Sequence, residues 1–176
     1  LWDPFCGAGT VALEAARHFN GMTPNASVRF PFQDWPTHEA ELFERVKSEM
    51  TSVETRSGTL RVFASDVSER ALEATRRNAA RAGVTDSMTI QHGDFEKVME
   101  TIPSGTWILS NPPYGERLEG AGLMKRLAQL LERRRDLRPV VLLVGGAAKR
   151  ELPGAFRSAI STKNGGIDGA LRVLER

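Results

Sequence analysis

The chain has 176 residues with 24 Lys+Arg, 22 Asp+Glu, one cysteine and three histidines, a length that suits one domain burying roughly two thirds of the surface its unfolded form exposes. Cys6 alone excludes an internal disulfide, and His18, His38 and His92 lack metal-ligand spacing, so no structural metal and a reducing, cytoplasmic setting are expected. No apolar run reaches the roughly 18 residues of a membrane-spanning helix and no signal-peptide pattern is present, so neither membrane insertion nor secretion is expected. The net charge of +2 is unevenly divided: residues 1–114 carry 11 basic and 15 acidic side chains, residues 115–176 carry 13 and 7. A basic second half points to a polyanion such as RNA or DNA, although a run such as "ERRRDLR" reads equally well as a solvated helix face.

Only Leu1 and Trp2 precede the loop at Asp3, whereas an opening strand normally runs about 5–6 residues. The first strand is therefore expected to be truncated, with upstream residues completing it. "DPFCGAGTVALEAA" places Gly7 and Gly9 between that stub and a helix running from about Thr10 to Arg17. Residues 20–58 interrupt the alternation that follows. Their loop, "NGMTPNASVRFPFQDWP", precedes an amphipathic segment in which Leu42, Phe43, Val46 and Met50 predict an inward stripe that packs this insertion on the domain.

"LRVFASD" (60–66), "MTIQHGD" (88–94), "TWILSNPP" (106–113) and "VVLLVGG" (140–146) read as short strands. Between the first two, Leu72, Thr75, Ala79 and Ala82 share one helical face and Gly83 is the expected C-cap. Strands alternating with helices predict a doubly wound α/β domain with a parallel sheet covered on both faces. "FRSAISTKNGGIDGALRVLE" departs from that rule, being two alternating runs around "KNGG", and predicts a closing antiparallel hairpin.

The glycine loop by itself is weak evidence. Its glycines allow a tight turn and close approach of a ligand, and the helix start offers free N–H groups. "GAGTVA" also satisfies the dinucleotide pattern G-x-G-x-x-G/A, which keeps a nicotinamide or flavin enzyme open. Asp3, Asp66 and Asp94 each stand at the carboxyl end of a predicted strand, as Asn111 does on a fourth. Those ends share the edge where open α/β sheets bind ligands. Each aspartate alone reads as well as a cap or turn residue. Together they suit a ligand carrying ribose hydroxyls, an adenine amine, an ammonium and a sulfonium, and S-adenosylmethionine is such a ligand. In "ILSNPPYGERL" the two prolines end the strand and leave Asn111 and Tyr114 on a stiff mount.

"DPFCGAGT", "ASDVS", "HGDF", "NPPYGERL" and "KNGG", in that order, resemble the motifs of class I S-adenosylmethionine-dependent methyltransferases that act on amino nitrogens. With the "FPFQDWP" insertion they more narrowly resemble the THUMP-associated ribosomal RNA guanine-N2 methyltransferases of the UPF0020 type. The resemblance implies a seven-stranded sheet with its last strand antiparallel. It implies Asp3, Gly7 and Gly9 around the methionine part of the donor, Asp66 on the ribose, and Asp94 on the adenine amine with Phe95 beside the ring. Phe5, Thr10, Val67 and Asn111 complete the implied cofactor contacts. Asn111, Pro112 and Tyr114 are the implied catalytic residues, with Pro113, Tyr114, Gly115 and Arg117 against the target base. RNA, ribosomal RNA foremost, is the implied partner, with an RNA-binding THUMP domain upstream.

An exocyclic base amine is planar and a poor nucleophile. Acceptors at the Asn111 side chain and the Pro112 carbonyl favour its pyramidal form, and Tyr114 would stack on the flipped base. DNA adenine and protein glutamine present similar planar nitrogens, and a catalytically silent adaptor is the non-enzymatic alternative. Cys6 reads as a packed thiol. Glu116 and Arg117 read equally as substrate contacts or a surface pair.

Overall fold

In the computed structural model, which describes residues 1–22, 28–51, 61–113, 122–145, 152, 155–164 and 167–175, strands and helices alternate as the sequence pattern predicts. In chain order these are β1 (Trp2–Asp3), α1 (Thr10–Phe19), α2 (Ala40–Thr51), β2 (Val62–Asp66), α3 (Glu69–Ala82), β3 (Met88–His92), α4 (Phe95–Met99), β4 (Ile108–Ser110), α5 (Leu123–Arg133), β5 (Val140–Gly145), β6 (Arg157–Asn164) and β7 (Ile167–Leu174). The seven strands form one sheet in the order β3-β2-β1-β4-β5-β7-β6. β1 to β5 pair in parallel, β7 runs antiparallel to β5, and β6 pairs antiparallel with β7. The predicted doubly wound sheet and the closing hairpin are both present.

Local chemistry sets the helix ends. Ser68 Oγ accepts the Ala71 N–H at the start of α3, and Gly83 ends it in the left-handed conformation, φ 67°, where a side chain would cost energy. The sheet then divides the core in two. On one face α1 and α3 bury Ala12, Ala16, Leu72 and Ala79 against Val62 and Ala64. On the other, α4 and α5 bury Val98, Met99, Leu127 and Leu131 against Ile108, Val140 and Leu142. Trp2 belongs to this second core, fully buried, with its indole N–H donated to Ser65 Oγ at 3.0 Å. Tryptophan tolerates such burial only when that donor is satisfied.

One expectation needs correction. In α2 the stripe predicted to face inward does not: Leu42, Val46 and Met50 are 41%, 45% and 48% exposed. Phe43 instead packs within the insertion, with ring centroids 5.7 Å from both Phe32 and His38 and 6.5 Å from Phe30. A helical period reports that a stripe exists, but Phe43 packs with Phe30, Phe32 and His38 within the insertion, while the rest of the stripe and Trp35 stay exposed.

The structure also bears on "ERRRDLR", which the sequence left open between a polyanion contact and a solvated helix face. It closes α5 and leads into the amino end of β5, hence on the sheet edge opposite the β-strand carboxyl ends. Arg134 donates to the carbonyls of Met99 and Ile102, at 2.5 and 2.8 Å, and to Asp136, while Arg138 donates to Leu131 O. These two cations close helix ends rather than await a phosphate.

Candidate active site

The strands β3, β2, β1 and β4 are neighbours, and the chain steps outward from β1 through β2 to β3 and then crosses back to β4 on the other side of β1. Their carboxyl ends therefore frame a crevice at the point where strand order reverses, the usual ligand position in such sheets. Asp3, Asp66, Asp94 and Asn111 all stand on this edge.

Asp3 ends β1 and is 1% exposed. Its Oδ1 accepts the Ser110 hydroxyl at 2.5 Å and the Phe5 N–H at 3.3 Å. Burial, with a further contribution from the nearby Asp66 charge, outweighs those bonds and pushes the Asp3 carboxyl up to about 6. Asp66 ends β2, half-buried, and ties two segments together: Oδ2 accepts the Gly7 N–H and Oδ1 the Ser68 N–H, both at 2.9 Å. Each of its oxygens keeps acceptor capacity toward the crevice.

The glycine loop is held from behind by α3. Thr75 Oγ1 donates to Gly7 O at 2.8 Å and Asn78 Nδ2 to Ala8 O at 3.0 Å, so both carbonyls are drawn away from the crevice. The two glycines do different work. Gly7, φ 54°, has no atom within 4 Å of where a Cβ would stand, so its backbone fronts open space. Gly9, φ 91°, is buried, and a Cβ there would lie 2.8 Å from Thr75 Cγ2. Its missing side chain lets α1 and α3 meet. Thr10 follows as the exposed first residue of α1.

Asp94 lies two residues past β3 and caps α4, its Oδ1 accepting the Glu96 N–H at 2.9 Å. Arg126 from α5 reaches its Oδ2 at 3.4 Å, binds Glu96 Oε1 at 2.6 Å through Nε, and sits 5.2 Å from the centroid of the Phe95 ring. Phe95 is 2% exposed, enclosed by Arg126 and by Phe5, whose ring centroid is 5.2 Å away. It is a core residue with no open face for a ligand. Val67, 64% exposed, is an apolar side chain open on this edge, and its carbonyl accepts a hydrogen bond from His92 Nε2 at 2.9 Å.

Beyond β4, Asn111 is exposed, Pro112 buried and Pro113 exposed. Tyr114, Gly115, Glu116 and Arg117 lie outside the described residues, as do Gly165 and Gly166 of "KNGG". Burial and the Asp3 charge push the Cys6 thiol up to about 12, so it has no nucleophilic role here. Four residues of this neighbourhood have no site role in the sequence reading: Ser110, Thr75, Asn78 and Arg126. Thr75 carried a signal, a polar residue on the apolar face of α3; the other three pair across 30 to 107 residues and leave no local pattern.

The edge thus offers open space before Gly7, an acceptor carboxylate at Asp66, an apolar wall at Val67, a second carboxylate at Asp94 and a buried third at Asp3. That set fits a cationic adenosyl ligand and poorly suits a pyrophosphate.

Solved structures share this fold. SMU.472, crystallised with SAH, superposes with a TM-score of 0.79 at 24% identity over 99% of this chain and 47% of its own. A protein described as a predicted N6-adenine-specific DNA methylase from Listeria monocytogenes gives 0.69 at 22% over 97% and 45%. TrmN from Thermus thermophilus gives 0.61 at 25% over 99% and 43%. This chain therefore spans less than half the length of each. The glycine loop, the acidic strand ends and Asn111-Pro112-Pro113 all fall within residues 1–162, which match a single family model, and the chain belongs to that family, UPF0020, the RMKL-like methyltransferase domain.

Proposed function

We propose that this domain transfers a methyl group from S-adenosylmethionine to the exocyclic N2 amine of a guanine in RNA, ribosomal RNA being the first candidate. The observation that carries the reading is the Asn111-Pro112 step. An exposed amide stands directly after β4, on a backbone stiffened by two prolines and anchored through Ser110 to Asp3, at the crevice where strand order reverses.

S-adenosylmethionine, when bound, supplies an electrophilic methyl on a sulfonium. The protein's part is alignment and preorganised acceptors. Asp66 takes the ribose hydroxyls, Asp94 the adenine amine, and the backbone at Gly7 leaves room for the methionine portion. Asn111 Oδ1 and the Pro112 carbonyl accept the two N–H bonds of the target amine. They favour a pyramidal nitrogen and spread the positive charge that grows as the methyl arrives. No strong base is needed, since the methylated ammonium is acidic and loses its proton to solvent. Tyr114 stacks on the extruded base, with Pro113, Gly115 and Arg117 around it.

RNA is favoured by the motif set, including "FPFQDWP", and by the basic excess of residues 115–176, which persists after Arg134 and Arg138 are assigned to helix ends. The fold shared with the Listeria protein keeps DNA adenine as the second reading. Incubation with tritiated S-adenosylmethionine and ribosomal RNA, DNA or a glutamine-containing protein separates these. Label in RNA recovered as N2-methylguanosine supports the proposal, label in DNA as N6-methyladenine replaces it, and binding without transfer to any of the three leaves a silent adaptor.

A further inference from the structure

We propose that Arg126 is a positioning residue for the adenine end of the methyl donor, acting through Asp94, and that it makes the site select a 6-amino over a 6-oxo purine. The inference rests on the reading above that Asp94 accepts the adenine amine. Arg126 stands in the first turn of α5 and is about half exposed, yet its guanidinium is committed on three sides. Nε donates to Glu96 Oε1 at 2.6 Å, Nη2 reaches Asp94 Oδ2 at 3.4 Å, and Cζ lies over the Phe95 ring, 5.2 Å from its centroid. A lysine could not reproduce this, because only the planar fork addresses two carboxylates and an aromatic face together.

Asp94 Oδ1 accepts the Glu96 N–H of α4, at 2.9 Å. Each oxygen keeps a lone pair for a ligand, and Oδ2 is the one Arg126 touches. With Oδ1 pinned to the helix start and Oδ2 steered by a cation on a different helix, the carboxylate has one orientation. An ionised carboxylate only accepts, so it receives a 6-amino N–H and repels a 6-oxo group, and Arg126 fixes the direction in which its oxygen does so. Glu96 keeps Arg126 from swinging into the crevice. The cation also carries chemistry between elements: Asp94 and Phe95 follow β3, while Arg126 lies on the helix after β4, the strand that ends at Asn111.

Calorimetric titration of S-adenosylhomocysteine and of its 6-oxo (inosyl) counterpart into the wild type, Arg126→Ala, Arg126→Lys and Asp94→Asn tests this without recourse to turnover. Arg126→Ala is expected to weaken S-adenosylhomocysteine about 10-fold, the scale of losing a hydrogen bond that orders a charged acceptor, while 6-oxo binding changes less than 2-fold. Discrimination thus shrinks. Arg126→Lys should fall between. If Arg126 merely staples α5 to α4, Arg126→Ala lowers the melting temperature and affects both ligands equally; that result, or unchanged affinity for both, overturns the proposal. Asp94→Asn separates the two levels: no loss of S-adenosylhomocysteine binding there sinks the adenine assignment itself. A loss there with none in Arg126→Ala sinks only the role of Arg126.

Discussion

Replacing Asp3 by asparagine should stabilise the protein at neutral pH while weakening its cofactor site. Asp3 is almost fully buried, and its two donors, Ser110 Oγ and Phe5 N–H, do not compensate for lost hydration. Its carboxyl titrates near 6 rather than at its ordinary 3.8. At about 1.4 kcal/mol for each factor of ten in proton affinity, that difference corresponds to ~3 kcal/mol. The sign follows from proton counting. Between 3.8 and about 6 the folded state binds more protons than the unfolded chain, so stability falls as pH rises through that window. The cost is fully present above it. Asparagine has the same shape, keeps an acceptor for Ser110 and Phe5, and never ionises. Urea denaturation of both proteins without cofactor, from pH 4.5 to 8, should show the advantage of Asp3→Asn growing toward ~3 kcal/mol as pH rises. A difference that stays flat across the series would refute the reasoning. If Asp3 faces the cationic part of the donor, as proposed, the ligand favours its ionised form, and S-adenosylmethionine affinity should drop as pH falls below about 6 in the wild type only.

Asn111→Ala should lower turnover by about 10²–10³, the loss of one acceptor in the transition state, with S-adenosylhomocysteine affinity nearly unchanged in calorimetry; equal turnover would remove Asn111 from the chemistry. Asp66→Ala should weaken S-adenosylmethionine by roughly 1.5–3 kcal/mol, measured the same way, and undiminished affinity would take Asp66 out of the site. Gly9→Ala should cost about 2–4 kcal/mol, from a left-handed backbone and a Cβ driven into Thr75. Thermal unfolding of the double variant with Thr75→Ser, which removes the offending methyl and keeps the hydroxyl bond to Gly7, should recover part of that loss. Cys6, with its thiol pushed up to about 12, should resist iodoacetamide at pH 8 in the native protein and react promptly in urea.

Residues whose role is set by near neighbours were legible in the sequence. Gly83 at the end of α3, the alternating runs of β6 and β7, and the strand-terminating Pro112 and Pro113 follow from local backbone chemistry. So does the placement of Asp3, Asp66 and Asn111 at strand ends, because a parallel sheet puts those ends on one edge. Partner choice was decided only by the tertiary structure. A helical period says that Thr75 and Phe43 lie on an inward face, but not that Thr75 fills the space at Gly9 or that Phe43 packs among Phe32 and His38 and leaves Leu42, Val46 and Met50 exposed. Charge along the chain likewise could not show that Arg134 closes α4 while Arg126 reaches Asp94. Those pairings span tens of residues, and their energies depend on burial and distance, which arise only once the sheet has brought the helices together.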